Sequence, residues 1–346
     1  MPRLLIAEPD ESGHRLYYVA ILAEGALSEG YDVTIALSGV NSEKVDAHLS
    51  GVRSKVDMTV LPGRSLSSIE KISKIVRPTK TVIPDGDRAA YRIGFRGWQG
   101  YGDVSVLVMR DPKMGANRGT KRVKKSVQRL LLEIASHRAR VTVRILRAAT
   151  SSSVDEKYTR DPVTLRANND EVAAITKSWG ISKSRYWFAV LGAVTTRKNV
   201  ALVARALNRV DNVGLVIAGR IQREALEDAL PSLEDLKKGG NLVLVRDELL
   251  SDTELDALVL AVDCVVLAHS NEGPSGLMGK AAAAGTRVVA SGAQSLMDDV
   301  SQIPTLAEWV NLDEYELAEA FRRAAISKRP GPVITVGAAD FVKSLL

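Results

Sequence analysis

Short apolar runs recur along this chain, and amphipathic stretches long enough to be helices separate them. RLLIAE (3–8), DVTIAL (32–37), VDMTVL (56–61), KTVIP (80–84), VSVLVM (104–109) and VTVRIL (141–146) form a first series. A second series follows a polar interval: YWFAVLG (186–192), VGLVIAG (213–219), NLVLVRD (241–247), DCVVLA (263–268) and RVVAS (287–291). A strand covered on both faces reads as a continuous apolar run, and a helical crossover brings the next strand in parallel. The rhythm therefore predicts an α/β chain with two doubly wound, mostly parallel sheets. At 346 residues the chain also exceeds what one core usually organises.

Local signals refine this plan. A helix over 14–30 stops at Gly30, and one over 168–180 opens on Asn or Asp caps. Further helices are expected after Lys198, over 223–240 with a break at Pro231, over 251–261, over the alanine run 275–285, and near 312–326. ATSSSVDEKYTRDPV (149–163) is polar and turn-rich, which places a boundary there. The expected organisation is an N-terminal domain 1–165, a C-terminal domain 166–330, and a terminal helix in 331–346 packing back on the first domain.

Hydrophobic residues make up 45% of the chain and charged residues 25%, as in an ordinary folded protein. The lone cysteine, Cys264, excludes an intrachain disulfide and sits in a strand-like run, where a buried thiol is expected. No apolar run approaches the ~20 residues that span a bilayer. The apolar stretch near the N-terminus is shorter than a secretory leader, and a cytoplasmic protein is expected. The four histidines, at 14, 48, 137 and 269, have no metal-ligand spacing with each other or with Cys264, so no metal site is expected.

Formal net charge is +6, and one segment accounts for it. Arg110 to Arg147 holds twelve Lys or Arg against Asp111 and Glu133. Within it, Val123, Val127, Leu130, Leu131 and Ile134 fall on one helical face, and Lys121, Arg122, Lys124, Lys125 and Arg129 mostly on others. Three readings stay open for 118–147: a solvated back on a core-packed helix, a peripheral membrane contact on the inner face of a membrane, and a nucleic-acid patch. Aromatics at 5% disfavour the last.

NEGPSGLMGKAAAAGTRVVASG (271–292) combines an acid, Glu272, with a bare turn and a helix of small residues. Ser275, Gly276 and Leu277 would open that helix, and their amides and the helix dipole favour an anion such as phosphate. Glu272 suits sugar hydroxyls beyond it. The alternative is a tight strand-to-helix turn of no special function. LGAVTTRKN (191–199) places Arg197 and Lys198 after a strand, where two cations suit a diphosphate or are simply a solvated turn.

Together these stretches resemble the signature of retaining GT-B glycosyltransferases. That pattern has an acid, a Gly-rich turn, a second acid eight residues on, and a small-residue helix closing on AAG.PVVAS. Glu272 matches the first acid, and AAAAGTRVVAS the closing frame. Lys280 stands where the family has the second acid, which puts the ribose contact in doubt; variants with a similar SG.LG turn also lose that acid. Lys198 matches the lysine of the family's G-R-x4-K-G pattern, whereas Ala193 replaces its arginine and Arg197 is the expected substitute. GLVIAGR (214–220) is similar to the family's L.I.G strand and turn, and the loop covering the nucleobase falls on Asp247, Leu249 and Leu250. Gly219, Arg220 and Lys280 complete the nucleobase and ribose region that the resemblance implies. The match is close over about 185–295 and loose over the N-terminal half. There Gly13 and His14 resemble the family's SGH loop near the donor phosphates, and Arg110–Asp111 stands where members place a His–Asp pair.

The resemblance implies a GT-B fold, two Rossmann-like domains facing across a cleft, with catalytic candidates Glu272, His14 and Arg110. It implies hexosyl transfer from a nucleotide-diphosphate sugar, UDP or GDP being the expected nucleotides, with retention and without metal or other cofactor. The acceptor is open, an anionic or lipid-linked one included. A degenerate binding protein and a sugar-nucleotide epimerase remain the alternatives.

Overall fold

The computed structural model describes residues 1–10, 15–39, 43–109, 120–151, 155–271, 275–335 and 337–346. The chain divides into two compact units. Unit 1 comprises Met1–Arg147, Ser153–Arg160 and Ala338–Leu346; unit 2 comprises Ala148–Ser152 and Asp161–Gly337.

Unit 1 carries seven strands: β1 (Arg3–Glu8), β2 (Asp32–Leu37), β3 (Asp57–Val60), β4 (Lys80–Ile83), β5 (Asp103–Val108), β6 (Val141–Arg147) and β7 (Tyr158–Arg160). All pair in parallel in the order β3-β2-β1-β4-β5-β6-β7. Helices α1 (Arg15–Ser28), α2 (Glu43–Leu49), α3 (Leu66–Val76), α4 (Asp87–Arg96) and α5 (Thr120–Ser136) connect them. Leu4, Ile6, Val33 and Ile35 pack beneath α1, while Leu5, Ala7, Val104 and Val106 pack beneath α3 and α4. The central strands β1, β2, β4 and β5 thus feed two cores, which is why their sequences show no polar alternation.

Unit 2 repeats the plan. Its helices are α6 (Asn169–Trp179), α7 (Val200–Leu207), α8 (Arg223–Lys238), α9 (Asp252–Ala261), α10 (Gly276–Ala284), α11 (Gln294–Ser301) and α12 (Glu314–Ile326). Its strands are β8 (Tyr186–Leu191), β9 (Val213–Gly219), β10 (Leu242–Asp247), β11 (Cys264–His269), β12 (Arg287–Gly292) and β13 (Ala307–Val310), in the parallel order β10-β9-β8-β11-β12-β13. Helices α7, α8 and α12 cover one face and α6, α9, α10 and α11 the other. A last helix, α13 (Ala339–Leu345), lies in unit 1, where Phe341 and Val342 pack with Tyr18 and Val19.

Most expected elements form within a residue or two of their expected ends. Asn168 caps α6 through a reciprocal capping box with Glu171, and Gly180 closes it in the left-handed region. Cys264 is buried, and burial pushes its thiol up, out of reach of neutral-pH ionisation. Two findings differ from expectation, and a third bears on a segment whose reading was left open. Pro231 does not break α8, which runs through it; Ala225, Ala229, Ser232, Leu233 and Leu236 are buried along the helix and hold it across the missing hydrogen bond. The polar interval contains strand β7, which adds to the edge of the first sheet. Of the apolar stripe of α5, Val127, Leu130 and Ile134 are exposed and Leu131 is partly buried, while the helix packs through Leu132 and Ala135. Among the described residues, no helix is long and apolar enough to cross a membrane.

Glycine is required where the strand ends of unit 2 crowd together. Gly219 has φ +123°, and a Cβ there would lie 2.1 Å from the carbonyl oxygen of Gly192. Gly219→Ala should therefore destabilise the protein by about 3 kcal/mol in urea unfolding. Gly180→Ala, also at positive φ but with nothing within 4 Å, should cost only about 1 kcal/mol.

Candidate functional site

In each sheet the strand order reverses at one place, and the crevice beyond the carboxyl ends of those strands is where such folds take ligands. In unit 2 that place lies between β8 and β11. The chain leaves β8 at Gly192 (φ +85°), forms a tight turn over Thr196–Lys198 and enters α7 through Asn199, itself left-handed at φ +48°.

This turn is stitched to the end of β11. The carbonyl of Arg197 accepts from Ser270 N at 3.0 Å, and Asn199 Nδ2 donates both to that carbonyl (2.9 Å) and to Ala268 O (2.8 Å). The two stretches singled out from the sequence, 73 residues apart, therefore form one edge. Beneath it Lys198 turns inward and its ammonium donates to Leu191 O. Burial, then the neighbouring Arg197, pulls its pKa down to about 8. Arg197 stays exposed, its Nε 3.3 Å from Thr195 Oγ1.

His269, the last residue of β11, adds a neutral group. Burial first, then Lys198 and Arg197, push its pKa down to about 4. Its Nε2 is buried and has no hydrogen-bond partner among the described residues. Nearby cations thus accumulate without a described counter-anion, and such a place favours an incoming anion.

The remaining candidates from the sequence are distributed as follows. Glu272, Gly13, His14 and Arg110 lie outside the described residues. Ser275 is the N-cap residue of α10 and makes no side-chain cap bond; Gly276 and Leu277 follow in the first turn, where helix geometry leaves amides without intrahelical partners. A Cβ on Gly276 would meet nothing within 4 Å. Gly219 and Arg220 end β9, and Asp247 Oδ1 accepts from Ile221 N at 2.8 Å, which fixes that turn to the end of β10. Leu249 is exposed and Leu250 packs on the core.

Lys280 joins none of these by a described contact. Its ammonium lies 2.5 Å from Asp256 Oδ1 on α9 and 3.0 Å from Thr164 O. Asp256 is fully buried, and its other oxygen accepts from Arg166 N at 2.7 Å. The reason α10 is made of small residues appears here too. A Cβ on Gly279 would lie 2.8 Å from Val163 and 3.1 Å from Ala149, and one on Gly285 2.7 Å from Pro330 O. Val333 N donates to Ala282 O at 2.9 Å. Three separate segments of unit 2 thus run against this one helix.

In unit 1 the reversal lies between β1 and β4. There Glu8, fully buried, accepts from Asp10 N (3.0 Å) and Asp85 N (3.1 Å). Burial pushes its pKa up to about 8 despite those two amides. Arg15 bridges Asp85 at 2.5 Å and Asp10 at 3.4 Å.

Sequence reasoning missed Glu8, Asn199, Asp256 and the setting of His269. One signal was available for Asp256: a lone lysine in a helix of alanines and glycines has to find a carboxylate. Among the described residues no group of three His, Cys, Asp or Glu is placed to hold a metal ion.

No family model matches the sequence, and no curated protein matches it. Solved structures do match the fold. Anabaena HepE in complex with UDP and glucose is similar with a TM-score of 0.64 at 11% identity, over 100% of this chain and 95% of that one. A glycosyltransferase from Rickettsia africae is similar with a TM-score of 0.66 at 12% identity, over 93% and 88%. UDP-GlcNAc 2-epimerase from Neisseria meningitidis bound to UDP-GlcNAc gives 0.60 at 12%, over 99% and 98%. The chain has the α/β, two-domain GT-B fold.

The buried pair makes a stability prediction. Lys280→Ala leaves the fully buried Asp256 without its counter-charge and should cost about 3–5 kcal/mol in chemical denaturation. Adding Asp256→Asn should recover much of that loss, because an amide oxygen can still accept from Arg166 N.

Proposed function

We propose that the protein is a glycosyltransferase that moves a sugar from a nucleotide-diphosphate sugar to an acceptor, with the donor held by unit 2. One observation carries this reading. The Arg197–Lys198 turn and the His269–Ser270 strand end are joined at the β8/β11 reversal, and the chain goes on from there into the open first turn of α10. A diphosphate at that edge would meet two cations and a set of unpaired amides. Negative charge grows on the diphosphate as the sugar leaves, so donors placed there stabilise the transition state more than the bound substrate. The GT-B fold agrees, and two of the neighbours named above are described with UDP or a UDP-sugar.

In this reading Glu272 orients the sugar, His14 and Arg110 serve the reacting centre, and Gly13, Ser275, Gly276 and Leu277 approach the phosphates. The base lies over Gly219 and Arg220, with Asp247, Leu249 and Leu250 around it. UDP or GDP is the carrier, and transfer proceeds with retention and without a metal. Lys280 holds α10 and α9 in place instead of contacting ribose, so the phosphates carry more of the donor's affinity. The epimerase reading is kept because a sugar-nucleotide epimerase shares this fold over nearly the whole chain. An assay that follows donor consumption and analyses the released sugar separates the two: transfer or hydrolysis frees the nucleotide, whereas epimerisation leaves the donor intact and inverts one carbon.

Lys198→Ala should weaken binding of the nucleoside diphosphate by about 1.5–3 kcal/mol, measured by calorimetry, and Arg197→Ala by a smaller amount because its side chain is exposed. The pH dependence follows from the lowered pKa of Lys198. Below pH 8 the ammonium is already charged and affinity is flat. Above it, binding must take up a proton, because the anion raises the pKa of Lys198. Affinity should then fall by up to about tenfold per pH unit. Affinity that stays flat from pH 7 to 10 would remove Lys198 from the phosphate site.

Glu272→Gln should abolish most sugar transfer while leaving nucleoside diphosphate affinity within about twofold, since the amide keeps the shape and loses the charge that orients hydroxyls. Parallel loss of transfer and of nucleotide binding would assign Glu272 to the architecture of the turn.

A further inference from the structure

We propose that the exposed face shared by α4 and α5 docks the protein on an anionic lipid bilayer. This inference is independent of sugar transfer. Helix α5 turns Val127, Leu130 and Ile134 to solvent, 51%, 61% and 38% exposed, in one stripe at helical spacing. Helix α4 lies alongside: a Cβ on Gly94 would fall 2.1 Å from the carbonyl oxygen of Leu131, and Arg138 donates to Gly94 O at 2.9 Å. Its next residue, Phe95, is 81% exposed. Large apolar side chains are thus concentrated on adjoining turns of two packed helices, whereas the core contacts of those helices are made by Ala90, Ile93, Leu132 and Ala135.

One exposed acid, Glu133, stands beside this stripe, and the neighbouring charges without an ion-pair partner among the described residues are all basic. Arg88 and Arg92 share the exposed face of α4 with Phe95, and Arg129 is exposed on α5; none has an ion-pair partner among the described residues. The nearby acids are already engaged. Glu133 lies 3.6 Å from Lys157, and Asp87 accepts from Met109 N at 2.7 Å. The first turns of α5 add Lys121, Arg122 and Lys124 to its sequence.

An apolar stripe flanked by unpaired arginines fits the boundary between headgroups and acyl chains. There the aliphatic side chains leave water and the guanidinium groups meet lipid phosphates. A nucleic-acid backbone would reward the arginines and leave Val127, Leu130 and Ile134 with nothing to bury against. A second copy of the chain, meeting this face with the same face, would set like charges against each other.

The test is co-sedimentation of the full chain with vesicles of phosphatidylcholine alone and of phosphatidylcholine containing phosphatidylglycerol. Binding is expected on the anionic vesicles alone and should weaken as salt rises. The pair Arg88→Gln and Arg92→Gln should lower the partition coefficient about 25-fold, at about fivefold per cation. The pair Val127→Ser and Leu130→Ser keeps the charge and should lower it at least tenfold, with thermal unfolding little changed because both side chains are more than half exposed. The proposal is overturned by equal binding to neutral and anionic vesicles, or by vesicle binding unaffected in both variants. It is equally overturned by a wild-type dimer that ignores vesicles and that the serine pair makes monomeric, or by a chain that binds an RNA oligomer and no vesicle.

Discussion

The absence of side-chain bulk on α10 is the constraint on which unit 2 is arranged. Segments around residues 149, 163 and 330–333 all run against this helix, and each comes close enough that a methyl group at Gly279 or Gly285 would collide. Close approach turns a helix into a clamp: Val333 N reaches the carbonyl of Ala282, and Gly337 N reaches that of Val163. With alanine or glycine at six of its nine positions, α10 buries little surface per residue, so a charged pair is a second fixing. Lys280 and Asp256 tie α10 to α9 and to the chain at 164–166. A buried pair of this kind adds little net stability relative to apolar residues, but it tolerates no other register.

The opposite end of the same helix shows a different balance. Where α10 begins, the fold gathers groups that do not satisfy one another. Lys198 lies half-buried beside Arg197, and His269, near both, has a ring nitrogen without a partner among the described residues. Desolvating an ammonium next to a guanidinium opposes folding at neutral pH, as its lowered pKa records. A chain selected for stability alone would place an apolar side chain there. The close packing around α10 and the neighbouring cations at the β8/β11 edge belong together, since like charges brought close are held only by well-packed surroundings.

What could be read from the sequence follows from how local each feature is. The strands were legible because burial on both faces leaves an apolar run regardless of partners. The caps at Asn168 and Gly180 were legible because a cap is decided within a few residues. The meaning of the stripe on α5 was not, since periodicity reports that an apolar face exists and says nothing of what it faces. Pro231 was misread because a proline rule takes no account of the buried side chains that hold α8 on its sheet. Strand β7 had too little hydrophobicity to announce itself; its place depends on the exposed edge of β6. Within the site, Arg197, Lys198 and the opening of α10 were visible as a pattern. Asn199, which does the stitching, looks in sequence like any polar turn residue. Lys280 stood out as a charge among alanines, but its partner lies 24 residues away on another helix.

Two sheets of the same winding end in opposite chemistry. Among the described residues, the titratable groups at the β8/β11 reversal are Lys198 and His269, with Arg197 beside them. At the β1/β4 reversal they are Glu8 and Asp85, with Asp10 nearby and Arg15 as the cation between. Topology therefore fixes where a ligand can sit and leaves its charge to the residues at the strand ends. Among the described residues, a phosphate brought to the first reversal would meet Glu8, Asp85 and Asp10 beside Arg15, and Glu8 holds its proton up to about pH 8. The same phosphate at the second reversal meets charge of the right sign, already desolvated. Glu8, with its two oxygens accepting from the backbone amides of Asp10 and Asp85, is instead arranged to hold two strand ends together and keep that edge in shape. Within one chain, the charge at the strand ends is thus set by a handful of residues at equivalent places in two similar sheets.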